Sequence, residues 1–151
     1  MQGYVAKNEH ITYSDKITVL HAVQATPDYS DADMIGVATA IPLSMRLVNG
    51  RALLTDITIT DVAKVMGSCD LEFFMAVPTT GADNAAISIT KISGNSLGIV
   101  KFTETFTDVG GYTIATKNAL NLLLKAGAGA SSVYYVLTNR KGAVLNFTAT
   151  T

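Results

Sequence analysis

The chain of 151 residues is predicted to fold as one all-β domain, an antiparallel sandwich. Short runs of β-branched and aliphatic residues, many of them containing Thr, recur along the chain, and Gly, Asn, Asp, Ser or Pro separates them. Runs with these lengths and boundaries are typical of strands, and no long run has the period of an amphipathic helix. There are about eight runs, which is the number of strands in a jelly roll with two packed sheets.

An extended N-terminal arm is predicted for residues 1–16, and the sandwich for residues 17–151. Such an arm could add a strand to the sheet edge of a neighbouring subunit, and a frayed terminus is the alternative. The apolar and aromatic side chains of the arm have no clear period, and they include Tyr4, Val5, Ile11 and Tyr13.

The first strand is predicted over residues 17–25, with Ile17, Val19, Val23 and His21 on one face. We expect His21 to be hydrogen-bonded to backbone, in the core or at a subunit contact. A chain with two histidines has little scope for a transition-metal site.

Residues 26–33 are predicted to form a loop, and its carboxylates Asp28, Asp31 and Asp33 suggest calcium. Their spacing lacks the glycine and the bidentate glutamate of an EF-hand, and Asp makes local hydrogen bonds in turns. We therefore expect them to be turn residues.

The next predicted elements lie between residues 35 and 61. Residues 35–48 are read as a strand pair or a bent strand, with Pro42 at an edge or a bend because it has no amide donor. Asn49-Gly50 indicates a tight turn. Residues 53–61 alternate as a half-buried strand. Its predicted inner face consists of Leu53, Ile57 and Ile59, and its outer face of Asp56, Thr58 and Thr60.

The most apolar strand is predicted over residues 69–77, in the middle of a sheet, after a connecting loop. Cys69 shares its inward parity, so a buried apolar role is expected; a reactive thiol would need a partner, and no His is near it in sequence. The distinctive loop 78–86 follows, and it contains Asp83 and Asn84. A short helix is expected over residues 90–96, stopped by Gly94-Asn95.

The remaining predicted strands are residues 97–103, residues 119–126 and a C-terminal hairpin of residues 133–139 and 143–150. For residues 119–126 a short helix is the alternative, but a lone helix of this length has little stability. A turn at Gly110-Gly111 places Tyr112 beside it.

Composition limits the function classes. The net charge is -1 and no Lys/Arg cluster occurs, so nucleic-acid binding is not expected. No apolar run is long enough to span a membrane, and one cysteine allows no intrachain disulfide. We find no nucleophile–His–acid pattern and no metal-ligand spacing, so we expect neither an enzyme nor a cofactor or metal.

Five segments resemble a known family, in order and spacing. Residues 53–61 are similar to its "L-x-S-I-T-V-x-D" strand and residues 70–74 to its "L-D-L-x-F-F" strand. Residues 81–86 resemble its loop, residues 96–100 its "x-L-G-V-V" strand, and residues 133–136 its penultimate strand. The family is that of the small jelly-roll-like capsid decoration, or cement, proteins of tailed bacteriophages.

The resemblance implies a structural virion protein that binds the capsid exterior after synthesis in the host cytoplasm. Its implied partners are the major capsid protein and itself, as a homotrimer. The chain departs from the family at residues 62–66, which replace a charged stretch, and in its last strand. The contact residues expected on this reading are Tyr4, Val5, Ile11, Tyr13, Asp83, Asn84 and Tyr112.

Other interpretations stay open at this point. An arm tyrosine could cap its own sheet, and Asp83-Asn84 could simply make a turn. The protein could be another virion component, from the tail or the head–tail connector. A carbohydrate- or receptor-binding sandwich would need exposed aromatics beside carboxylates, and Tyr29 within the acidic loop is the candidate.

Overall fold

A computed structural model describes residues 16–24, 28–42, 51–80, 82–86 and 95–147. Within these ranges the chain forms nine strands, all pairs between them are antiparallel, and no helix occurs. The predicted all-β sandwich is confirmed. The predicted turn at Asn49-Gly50 and most of the predicted helix at residues 90–96 lie outside the described residues.

The strands are divided between a four-stranded sheet and an opposing layer made of two smaller sheets. The four-stranded sheet has the order β1-β9-β4-β5, and the opposing layer consists of β2-β8 and β3-β7-β6. The strands are β1 (Met34–Pro42), β2 (Arg51–Leu54), β3 (Ile57–Asp61), β4 (Cys69–Phe74), β5 (Ser96–Phe102), β6 (Thr107–Asp108), β7 (Thr113–Lys117), β8 (Leu122–Lys125) and β9 (Ser132–Asn139).

The four-stranded sheet is buried on both faces at its centre. On the inner face Leu71 and Phe73 of β4 join the main core between the layers. On the outer face Phe74 packs with Met34 and Val136 in a second, smaller cluster. Strands buried on both faces read as continuous apolar runs, which is why β4 could be placed centrally from sequence. Pro42 ends β1 at the edge of this sheet, as predicted.

The opposing layer has one buried and one exposed face. In β3, Ile57 and Ile59 pack against the core while Thr58 and Thr60 are exposed, as predicted. The layers approach closely where Leu122 of β8 meets β5. Gly98 makes this possible, because a Cβ there would lie 2.8 Å from a Leu122 methyl carbon.

The single strand predicted over residues 53–61 is two strands. A break at Thr55-Asp56 separates β2, which pairs with β8, from β3, which pairs with β7. The break changes the side-chain parity, so Leu54 packs against the core and Leu53 is exposed. The prediction that Leu53 lies on the inner face was wrong.

The strand predicted over residues 17–25 is also wrong: described residues 16–24 have an irregular backbone. Side-chain hydrogen bonds hold this segment against β1 in place of a backbone ladder. The His21 ring donates a hydrogen bond to the Ile35 carbonyl, an acceptor that a backbone ladder would otherwise use.

The C-terminal hairpin is wrong as well, since residues 143–147 form no strand. Both edges of β9 already pair, with β1 and β4, so no edge is free for a hairpin partner. Instead Leu145 exchanges two backbone hydrogen bonds with Tyr29, at 2.9 and 2.8 Å. The buried side-chain amide nitrogen of Asn139 (Nδ2) donates to the carbonyls of Tyr29, Ser30 and Ala143. These bonds hold the segments around Tyr29 and Leu145 in place.

Candidate interaction surfaces

Residues 16–24, which we call the strap, cross the start of β1. Gly36 seats them: its φ is 70°, and a Cβ there would lie 2.3 Å from the Ala22 carbonyl oxygen. Leu20, on the strap, is 93% exposed, and Ile17 and Val23 are also exposed. The strap therefore presents apolar side chains to solvent while it is tied to the sheet from below.

His21 is the main anchor of the strap. Its Nε2 lies 2.5 Å from the Ile35 carbonyl oxygen, and its Nδ1 lies 3.0 Å from the Tyr135 hydroxyl and 3.1 Å from Thr39 Oγ1. A carbonyl can only accept, so Nε2 carries the proton and Nδ1 of the neutral ring accepts from Tyr135. Burial lowers the pKa of His21, which keeps the ring neutral. The prediction of a backbone-bonded histidine is confirmed.

The second anchor joins the strap to the distinctive loop. The Tyr29 hydroxyl accepts from the Gln24 amide at 2.7 Å and donates to Asp83 Oδ2 at 3.2 Å. Tyr29 is fully buried, and its hydroxyl pKa is raised, chiefly by that burial. A sugar-binding cleft framed by an exposed Tyr29 is therefore not what this structure contains.

Asp83 and Asn84 lie in a turn that docks on β1. The Asn84 amide donates to the Met34 carbonyl, and the Met34 amide donates to Ala85. Asn84 adopts a φ of 61°, a conformation in which Asn is common. Asp83 Oδ1 and Asn84 Oδ1 are buried without a hydrogen-bond partner among the described residues. This geometry is that of the turn alternative, and a contact role for the pair stays a prediction.

Two carboxylates of the acidic loop accept hydrogen bonds from backbone amides. Asp33 Oδ2 accepts from the Ser30 amide at 2.6 Å, and Asp31 Oδ1 accepts from the Gly142 amide at 3.0 Å. The predicted local turn role is confirmed for Asp33, whereas Asp31 bonds a residue that is distant in sequence. Over the part of the chain that the structure describes, no group of three or more His, Cys, Asp or Glu is arranged to hold a metal ion.

Tyr112 lies in the β6–β7 hairpin and is 39% exposed, and its contact role stays a prediction. Lys64 stabilises the hairpin, since its Nζ lies 3.1 Å from Asp108 Oδ1 and also bonds the Gly110 carbonyl. The Gly110 amide and Lys64 lower the pKa of Asp108. The turn predicted at Gly110-Gly111 is confirmed.

Sequence reasoning missed the outer face of the two-stranded β2–β8 sheet, which we call the ribbon face. Leu53 and Leu123 lie directly opposite each other there and are 57% and 52% exposed. The next outward pair is Arg51 and Lys125, both exposed. This pairing follows from strand register, which no sequence signal gave.

The described part of the chain also contains a half-open cleft of about 210 Å³ between the strap and β3. Its lining is mostly apolar, with His21 and Asp61 as the ionisable groups. Asp61 is already engaged: its carboxylate accepts three amide hydrogen bonds, from Ala63, Val65 and Met66. Both ring nitrogens of His21 are also hydrogen-bonded, Nε2 to the Ile35 carbonyl and Nδ1 to the Tyr135 hydroxyl.

Cys69 is fully buried, as predicted, and burial raises the pKa of its thiol to about 12. The arm residues Tyr4, Val5, Ile11 and Tyr13 lie outside the described residues. In the segments that are described, the structure has no helix with the length and hydropathy needed to cross a membrane.

The chain matches no protein-family model, no curated protein and no solved structure. The resemblance to capsid decoration proteins therefore rests on the five sequence segments alone.

Proposed function

We propose that this protein is a structural component that binds the outer surface of a phage capsid and reinforces contacts between shell subunits. The observation that carries the proposal is the distribution of exposed apolar side chains. Among the described residues they are spread over several separate places on one packed sandwich, which include the strap, the ribbon face, the β6–β7 hairpin, Val37 of β1 and Ile99 of β5.

Single exposed apolar residues are common on protein surfaces, and a stable interface between two proteins buries about 800 Å² per partner. Several small contact points on one rigid body suit a protein that touches several neighbours at once. After the first contact, the later ones are effectively intramolecular, so the total affinity rises.

The sandwich suits this role in two further ways. Its main core joins the two layers through buried aromatic residues, among them Phe73 and Phe102. Its net charge is -1, so copies crowded on a shell repel each other only weakly.

Copy number on purified particles tests the proposal. Particles from the host that makes this protein would be analysed by quantitative mass spectrometry, with the major shell protein as the internal reference. A copy number of the same order as the shell protein is expected. A ring's worth of copies would assign the protein to the tail or the connector, and absence from particles would reject both readings.

A further inference from the structure

The ribbon face combines an apolar centre with an unneutralised positive charge. The Leu53–Leu123 pair is flanked by Arg51 and Lys125, which are directly opposite each other in the register. Like charges in this arrangement destabilise a sheet. Neither cation has an ion-pair or hydrogen-bond partner among the described residues.

We propose that the ribbon face is a docking surface for a protein partner whose own surface has an apolar patch bordered by Asp or Glu carboxylates. Leu53 and Leu123 would fill the apolar centre, and Arg51 and Lys125 would pair with the carboxylates. Partner carboxylates would remove the like-charge repulsion that the free protein retains, so binding relieves an unfavourable interaction. Arginine at the border of an apolar contact is also a common interface feature.

The size of the face decides between a second copy and a different protein. Two strands of four residues cover roughly 13 by 10 Å, far below the ~800 Å² per partner of a stable complex. A second copy would bring the same two cations and no carboxylate on this face. A different protein, held at several points at once, supplies both the missing charge and the missing area.

The identity of the partner as a shell subunit rests on the proposed function. The chemistry that the ribbon face requires of its partner does not depend on the proposed function. The test is therefore the rebinding of purified protein to particles that have been stripped of it. The test variants are Leu53→Ser/Leu123→Ser and, separately, Lys125→Glu. Val144→Ser is the matched control, because Val144 is 58% exposed and lies outside the ribbon.

Wild type and the control should rebind, and each test variant should lose about tenfold or more in affinity. The Lys125→Glu loss should shrink as salt is added, because screening weakens the contribution of the charge. Lys125→Glu removes the like-charge pair, so it should melt no lower than wild type, and its loss of binding cannot be attributed to misfolding.

Rebinding by all variants with equal affinity would overturn this inference and leave the proposed function standing. Failure of wild type to rebind would overturn the proposed function, and with it the shell subunit as the partner. Self-association in sedimentation that the same variants abolish would assign the face to a second copy. Binding to vesicles of anionic phospholipid that the same variants abolish would assign the face to a membrane. Either result would overturn the proposal.

Discussion

The two layers of the sandwich bury their strands differently. In the four-stranded sheet, β4 is buried along nearly its whole length, with Leu71 and Phe73 on one face and Phe74 on the other. In the opposing layer, β2 and β3 alternate between half-buried and exposed residues. The centre of the first layer is stabilised by packing on two sides, whereas β2 and β3 keep a free outer face.

This difference separates stability from contact. Residues at the centre of the four-stranded sheet, such as Phe73 and Phe74, have little scope to meet another protein, because the molecule already covers them. Leu53 and Leu123 contribute little to the core and are free to meet a partner. Substitutions at the centre of the four-stranded sheet should therefore lower the free energy of unfolding, whereas substitutions of Leu53 and Leu123 should lower the affinity for a partner.

The largest effect is expected from Phe73→Ala. Phe73 is 1% exposed in the main core, and truncating a buried Phe costs about 3–5 kcal/mol of unfolding free energy. Leu123→Ala is the matched change in the other layer and should cost less than about 1 kcal/mol. Urea unfolding followed by intrinsic fluorescence measures both, and equal costs would break the comparison between the layers.

A smaller but clear loss is expected from Gly36→Ala, which tests the seat of the strap. The new Cβ would meet the Ala22 carbonyl oxygen and require a positive φ, so we expect a cost of about 1–3 kcal/mol. Gly111→Ala is the control, because nothing lies within 4 Å of its Cβ position. If thermal melts show the same loss for both variants, the strap is not seated on Gly36.

The next effect is a pH dependence from His21. Burial lowers its pKa in the folded protein below the ordinary value of 6.5, so the unfolded chain binds the proton more readily. The stabilising contribution is complete above pH 6.5 and is lost as the pH falls through the folded pKa. Melts of wild type and His21→Gln at pH 7.5 and 5.0 measure it. Wild type should lose more on acidification; parallel losses would contradict the assignment.

The smallest effect distinguishes the two charged register pairs. Lys125 lies opposite Arg51, so Lys125→Glu should raise stability by a few tenths of a kcal/mol. Lys101 lies opposite Asp70, so Lys101→Glu should lower it by a similar amount. Chemical denaturation of both variants in low salt checks the signs, and equal signs would show that the register described here is wrong.

Burial patterns carried most of the fold prediction. The apolar run of β4 indicated its central position, and the low stability of a lone short helix favoured strand over helix for β8. Leu53 was misplaced because a break of two residues changes parity, and β2 and β3 look continuous in sequence. Residues 143–147 were misplaced because strand propensity does not say whether a neighbouring edge is free.

The candidate surfaces were predicted less well, for a physical reason. The backbone hydrogen bond of His21 and the exposure of Tyr112 agree with expectation, although the strand predicted around His21 was wrong. The ribbon face depends on a register between β2 and β8, which are separated by 67 residues, Leu54 and Leu122 being their nearest ends. Its leucine and cation pairs exist only once the fold has brought the strands together.

The most direct test of the account compares lysine acetylation in the free protein and on particles. Lys125 lies on the ribbon face and Lys101 on β5 of the four-stranded sheet, and both are exposed. The account predicts that particle binding protects Lys125 and leaves Lys101 reactive. If Lys125 is equally reactive in the free protein and in the protein bound to particles, the claim that the ribbon face carries the contacts is contradicted.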